Sequence, residues 1–215
     1  MNAVDLFAGW GGFTEGATQA GANVVYAANH WPLAVEAHER NHPHAHHECQ
    51  DLRQADWASL PPHDLLLASP ACQGHSTAAN AARKRDAVAV THDALRATAW
   101  AVIDCAEVCR PRAAIVENVP AFVRWGPEDK PGAYFKHWLE GFRLRGYRVD
   151  VRILRASHFG TPQRRDRLFV LATRDFDVPE LDRGEEPAFG PCVDWGVGEW
   201  SLVSRASAGV QRRVA

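Results

Sequence analysis

No stretch of the 215-residue sequence is apolar for long enough to cross a bilayer. No basic segment followed by an apolar core opens the chain; MNA leads straight into a strand-like run, which argues against secretion. Cysteine is sparse. Cys49, Cys72, Cys105, Cys109 and Cys192 include no CxxC pair, and an odd count of five suits a reducing compartment. A cytoplasmic protein is therefore expected. A net charge of −2 gives no global attraction to nucleic acid, although a local basic stripe would suffice for phosphate contacts. Arginine dominates the cations, in Arg83-Lys84-Arg85 and Arg164-Arg165-Asp166-Arg167, and a solvated face is the plainer reading of both clusters. There is no internal repeat. With 46% hydrophobic and 23% charged residues, the chain has the composition of one large globular domain, or of a medium domain with an appendage.

What is present alternates between strand and helix signals. AVDLF reads as a buried strand, GWGG as a tight turn, and FTEGATQA as a short helix ending at Gly21. NVVYAAN is a second strand, and Pro32 opens the helix PLAVEAHERN where proline is favoured. DLLLAS is a third strand, followed by a long polar stretch over residues 69–92. DALRATAWAVIDCAEVC predicts an amphipathic helix, and AAIVEN the strand after it. A helix around residues 134–145 leads to strands near YRVDVRIL and RLFVLAT, with no obvious helix between them. The fold expected is an α/β Rossmann-like arrangement, a doubly wound and mostly parallel sheet with an antiparallel hairpin at one edge. From about Asp175 the pattern fails, and FDVPELDRGEEPAFGP has the composition of a linker.

In an open parallel sheet, ligands bind beyond the carboxyl ends of the strands. The loop DLFAGWGG lies there, and Gly9, Gly11 and Gly12 let backbone approach a ligand closely. Thr14 stands where a dinucleotide fingerprint has its third glycine, and no Lys-Ser or Lys-Thr follows. A glycine loop without a phosphate clamp suits a nucleoside-like ligand carrying an amino-acid tail. Asn29-His30 ends the second strand, where an acid often holds ribose hydroxyls. Asp51 offers an acceptor for an adenine amine, and equally a helix cap. The stretch SPACQGHS sets Cys72 just beyond the third strand, among small and polar residues, where a working thiol is reachable and a structural one is out of place.

With DLFAGWGG, SPACQGHS, ENV and QRRDRLFVL in this order, the chain resembles the DNA cytosine-5 methyltransferases from about Val4 to Thr173. The resemblance implies a Rossmann-like domain that uses S-adenosylmethionine, with a small target-recognition domain after the catalytic half. It implies a cofactor site built from Asp5, Phe7, Gly9, Gly11, Gly12, Asn29, His30, Asp51, Leu52 and Pro70, with Phe7 stacked near the adenine. It also implies Cys72 as nucleophile and Glu117 as the acid that binds a flipped base. Arg165 and Arg167 would support the base and the catalytic loop. Gln73, Ser76, Arg83, Lys84, Arg85, Asn118 and Gln163 would face the DNA. No metal is expected. By the same resemblance residues 1–174 are the catalytic domain, and residues 175–215 are a linker and the start of a truncated recognition region. A bacterial or phage-like host cytosol and a restriction–modification setting are implied as well.

A soft thiolate suits the implied chemistry, because C5 of cytosine is a poor nucleophile until something adds at C6. Such chemistry cannot proceed inside a stacked duplex, so the partner is DNA with its cytosine flipped out. The sequence departs from the family pattern at Ala71, where proline is usual, at His30, where an acid is usual, and at His75, where an aromatic is usual. The closing cofactor motif and nearly all of the recognition domain are missing, so a complementary chain that supplies recognition is an implied partner. Two alternatives stand beside DNA methylation: a non-catalytic or split-enzyme subunit that binds DNA or a partner chain, and an RNA cytosine-5 methyltransferase. His42, His44, His46, His47 and Cys49 fit no standard zinc spacing and read as a polar surface loop. Cys105 and Cys109, four apart on a helix, read as core-facing.

Overall fold

Short segments, most of them apolar or alternating, become strands: Asn2–Leu6 (β1), Asn23–Asn29 (β2), His46–Cys49 (β3), Leu65–Ala68 (β4), Ala113–Asn118 (β5), Arg148–Arg155 (β6) and Asp166–Thr173 (β7). The computed structural model describes residues 1–71, 98–178, 180, 181 and 184. One seven-stranded sheet has the order β3-β2-β1-β4-β5-β7-β6. β1 pairs in parallel with β2 and β4, β2 with β3, and β4 with β5. β7 runs antiparallel between β5 and β6, which gives the edge hairpin.

Among the described residues, four α-helices flank the sheet: Gly12–Gln19 (α1), Pro32–Asn41 (α2), Thr98–Cys109 (α3) and Ala133–Leu144 (α4). Alternation along each strand sorts the core into two layers. Val4, Leu6, Leu66, Ala68, Ala114 and Val116 pack with residues of α3 and α4, whereas Ala3, Val24, Leu65, Leu67 and Ala113 pack with Ala17 of α1. Both faces of the central strands are thus covered, as a parallel sheet requires. Pro32 occupies the first turn of α2, and Gly132, at φ +84°, precedes α4.

One sequence-based reading is corrected. The histidine-rich segment is not a surface loop throughout, because His46–Cys49 forms the edge strand β3 and His42 is buried. An edge strand pairs on one side only, so it needs no apolar alternation. Contacts within the chain divide it into two units, Met1–Arg155 with Asp166–Asp182, and Ala156–Arg165 with Arg183–Ala215. In the second unit Ala156 N–H donates to the Arg165 carbonyl (2.9 Å) and Gly184 N–H to the His158 carbonyl (2.9 Å). Cys72, Gln73, Ser76, Arg83, Lys84 and Arg85 lie outside the described residues, as does nearly all of the expected linker and recognition region. Among the described residues no helix is long and apolar enough to cross a membrane.

Among the described residues Trp138 of α4 is the largest fully buried side chain, and its indole Nε1–H donates to the Ala99 carbonyl on α3 at 2.8 Å. Phe122, Phe135 and Phe142 surround it with ring centroids 5.2–6.2 Å away. Trp138→Ala should lower the unfolding free energy by about 3–5 kcal/mol in urea denaturation.

Candidate active site

The loop after β1 is held in conformations that few residues accept. Phe7 has φ +59°, an uncommon value for a bulky residue, followed by Gly9 at +55° and Gly11 at +92°. The turn is closed by Gly11 N–H donating to the Ala8 carbonyl (3.1 Å), while Ala8 N–H donates to the Ala28 carbonyl on β2 (3.1 Å). A Cβ on Gly11 would come within 2.7 Å of His42 Nε2, whereas at Gly12 it would meet nothing within 4 Å. Gly11 is therefore required by what lies beneath the loop, and Gly12 leaves open space.

Beneath the loop runs a buried polar chain. Thr14 Oγ1 of α1 donates to Asp5 Oδ2 (2.8 Å), His38 Nε2 of α2 lies 3.1 Å from Thr14 Oγ1, and His38 Nδ1 lies 2.8 Å from His47 Nε2 on β3. With the threonine proton directed at Asp5, Thr14 accepts from His38 Nε2–H, which leaves His38 Nδ1 to accept from His47. Asp5 is fully buried, and burial raises its carboxyl to about 7 despite the lowering effect of the Thr14 bonds. Burial likewise lowers His38 to about 4, assisted by His47 and His42.

At the carboxyl end of β2, Asn29 is buried and its Oδ1 accepts from the Trp31 N–H at 3.0 Å, while His30 is exposed. Trp31 meets Trp10 of the glycine loop edge to face at 5.3 Å, and both rings are about half exposed. Sequence reading passed over this pair because the two indoles meet only in space. Asp51 caps the 3-10 turn Leu52–Gln54, accepting from Arg53 N–H (3.1 Å) and Arg53 Nε (2.9 Å). The Arg53 hydrogen bonds pull this carboxyl down to about 2. The capping role is thus realised, and Leu52 is buried in the core beside it.

The SPAC and ENV segments are joined directly. Asn118 is buried, and its Nδ2 donates to the Pro70 carbonyl at 3.0 Å while its Oδ1 accepts from Val119 N–H at 2.9 Å. Ala71 N–H donates to Thr98 Oγ1 at the start of α3 (3.2 Å). The two residues that precede Cys72 are therefore pinned from β5 on one side and from α3 on the other. Glu117 points to the opposite face, where Arg167 Nε of β7 meets its Oε1 at 2.7 Å. Arg155 and Asp166 form a bidentate pair alongside (2.8 and 3.2 Å). Gln163 and Arg165, in the second unit, are exposed.

Residues 1–189 match the C-5 cytosine-specific DNA methylase family. The chain belongs to that family. It is 32% identical over 219 residues to the Type II methyltransferase M.NlaX of Neisseria lactamica, covering 99% of this chain and 66% of that protein. It is 30% identical over 183 residues to M.AgeI of Thalassovita gelatinovora, covering 81% of this chain and 40% of that protein. The chain thus spans well under two thirds of most of the curated relatives it matches. Among solved structures, the Entamoeba histolytica methyltransferase EhMeth superposes with TM-score 0.66 at 18% identity, over 87% of this chain and 57% of that one. The S. pombe Dnmt2 methyltransferase superposes with TM-score 0.58 at 20% identity, over 84% and 51%. Both likenesses establish the methyltransferase fold.

Within this family member, the structure gathers Phe7, Gly9, Gly11, Gly12, Asn29, His30, Asp51, Pro70, Glu117 and Arg167 at or just beyond the carboxyl ends of β1, β2, β3, β4 and β5 and the facing end of β7. Two outcomes follow from the geometry. Asn118→Ala leaves the Pro70 carbonyl buried without its donor, and should cost roughly 1–3 kcal/mol of unfolding free energy by chemical denaturation. The second concerns pH. A carboxyl raised towards 7 favours the folded state in acid, a preference lost as pH climbs from about 4 to 7. A histidine lowered towards 4 does the reverse, weakening the fold as pH drops from about 6.5 to 4. The two oppose each other in wild type. Asp5→Asn should therefore lose stability more steeply on acidification through that interval, and His38→Gln should lose it as pH rises; parallel urea-denaturation profiles for all three proteins would contradict the assignment.

Proposed function

We propose that this chain carries the catalytic half of a methyltransferase acting at C5 of cytosine in DNA, with Cys72 as nucleophile. The observation that supports this most strongly is the Asn118–Pro70 hydrogen bond, which ties the residues ahead of Cys72 to the strand end that bears Glu117. Residues 1–174 are read as the catalytic domain and residues 175–215 as linker and the start of a target-recognition region. DNA with a flipped cytosine is the substrate, and a complementary chain supplies further base contacts.

The glycine loop fits S-adenosylmethionine. Gly12 leaves room for close approach, Phe7 is held in an unusual backbone conformation at the strand end, and the exposed Trp10–Trp31 pair offers aromatic surface beside it. When bound, the cofactor supplies an electrophilic methyl group on a sulfonium. Phe7 would pack against its adenosine, Asn29 and His30 would hold the ribose, and Asp51 would accept from the adenine amine.

The Cys72 thiolate adds to C6 of the flipped base, and the electron pair of the C5–C6 double bond becomes available at C5. Glu117, carrying a proton, donates to N3 while its other oxygen accepts from the exocyclic amine, so the charge that builds at N3 as C6 is attacked is met by that proton. Arg167 fixes the orientation of the carboxyl group through its 2.7 Å contact. Arg165 holds O2 of the base, and Gln73, Ser76, Arg83, Lys84, Arg85 and Gln163 face the DNA. After C5 is methylated, loss of its proton restores the double bond and expels Cys72.

Duplex DNA containing 5-fluorocytosine tests the reading, because fluorine at C5 blocks the final proton loss. With S-adenosylmethionine present, the denatured protein should carry covalently attached methylated DNA, and Cys72→Ala should carry none. Glu117→Gln should slow adduct formation by roughly 100- to 1,000-fold. Absence of an adduct with the wild-type chain, alone and with a candidate complementary chain, would favour a binding subunit instead.

A further inference from the structure

At the end of the sheet opposite the candidate active site, three metal-ligating side chains converge that no step of the methyl transfer uses. Cys105 and Cys109 lie one turn apart near the carboxyl end of α3, and His63 lies just ahead of β4. The two sulfurs are 3.9 Å apart, and the ligand atoms of all three residues lie within 4.8 Å of one another. Bonds of about 2.3 Å to sulfur and about 2.0 Å to nitrogen in a tetrahedron place S···S near ~3.8 Å and S···N near ~3.6 Å. The thiols are thus already at ligand spacing, and the imidazole needs to move by no more than about an ångström.

The histidine is prepared for such a role. Its Nδ1 lies 2.8 Å from the Pro61 carbonyl, which only accepts, so Nδ1 carries the proton and the Nε2 lone pair is free. Nε2 is buried and has no hydrogen-bond partner among the described residues. A ring N–H anchored to a backbone carbonyl is how metal-binding histidines are oriented. Cys105 is fully buried, so a complex there is favoured when its charges cancel. Two thiolates and a neutral imidazole around a divalent ion give that cancellation.

We propose that His63, Cys105 and Cys109 form a structural zinc site that fastens the segment ahead of β4 to the carboxyl end of α3. Uptake forms two Zn–S bonds and one Zn–N bond and releases both thiol protons to solvent. The Trp57 carbonyl, 3.2 Å from Cys109 Sγ, or a water takes the fourth position. Sequence spacing gives no sign of this site, because His63 reaches the cysteines only through the fold.

The test uses the reduced 215-residue chain, stripped with a chelator and titrated with Co2+ and then Zn2+. One Co2+ should bind per chain with thiolate-to-cobalt charge-transfer absorption, Zn2+ should displace it with proton release, and the thermal midpoint should rise. His63→Gln and Cys109→Ser should weaken binding roughly tenfold or more, while Cys49→Ser should leave the spectrum unchanged. If the cysteine variant fails to fold, the wild-type and His63→Gln titrations decide. Absence of charge-transfer absorption in wild type overturns the site, as does a spectrum that persists unaltered in His63→Gln. In that event the cysteines form only the hydrogen-bond chain from Cys105 through Cys109 to the Trp57 carbonyl.

Discussion

The register of β7 against β5 governs where charge appears at the candidate active site. Glu117 stands opposite Phe169, so Arg167, two residues along β7, shares its face and reaches it diagonally. A slip of one residue would turn Arg167 to the other side of the sheet. The same alternation sends Asn118 to the face of Ala114 and Val116, where it meets the Pro70 carbonyl. Adjacent residues of one strand thus serve opposite layers: Glu117 presents a carboxylate, and Asn118 secures the backbone ahead of Cys72. The first depends on an antiparallel strand inserted into an otherwise parallel sheet, the second on the parallel pairing of β5 with β4.

The opposite side of the glycine loop is governed by burial. Asp5 lies in the middle of β1 without solvent, an expensive place for a carboxylate unless it is hydrogen-bonded or protonated. Thr14, His38 and His47 form the compensating chain, and His42, packed against His38, demands a residue without a Cβ at Gly11. The loop glycine therefore answers to the histidines below as much as to any ligand above. At Gly12, by contrast, a Cβ would meet nothing within 4 Å.

What could be read from the sequence were features confined to short windows. The apolar runs of β1, β2, β4 and β5, the proline at the start of α2 and the edge hairpin all announce themselves locally, as do the glycine loop and ENV. The strand β3 does not, because HHEC carries neither apolar alternation nor β-branched residues, and its place depends on pairing with β2. The Trp10–Trp31 pair, the bond from Ala71 to Thr98 and the meeting of His63 with the α3 cysteines join residues far apart in sequence. Periodicity holds no record of them. The ambiguity at Asp51 arose because a carboxylate that caps a turn and one that accepts from a ligand have the same local signature.

Ala71 shows how a departure from a family pattern is absorbed by physics rather than tolerated as a defect. Proline at that position would fix φ and offer no N–H. Alanine frees φ, yet it supplies the N–H that Thr98 accepts at 3.2 Å. Rigidity from a ring is thereby exchanged for rigidity from a hydrogen bond to the first residue of α3. Because Pro70 is held independently through its carbonyl by Asn118, the backbone entering Cys72 has two anchors on separate elements. Neither anchor needs the ring, so the constraint that the family places in one residue is here distributed over Asn118, Thr98 and the strand and helix that carry them.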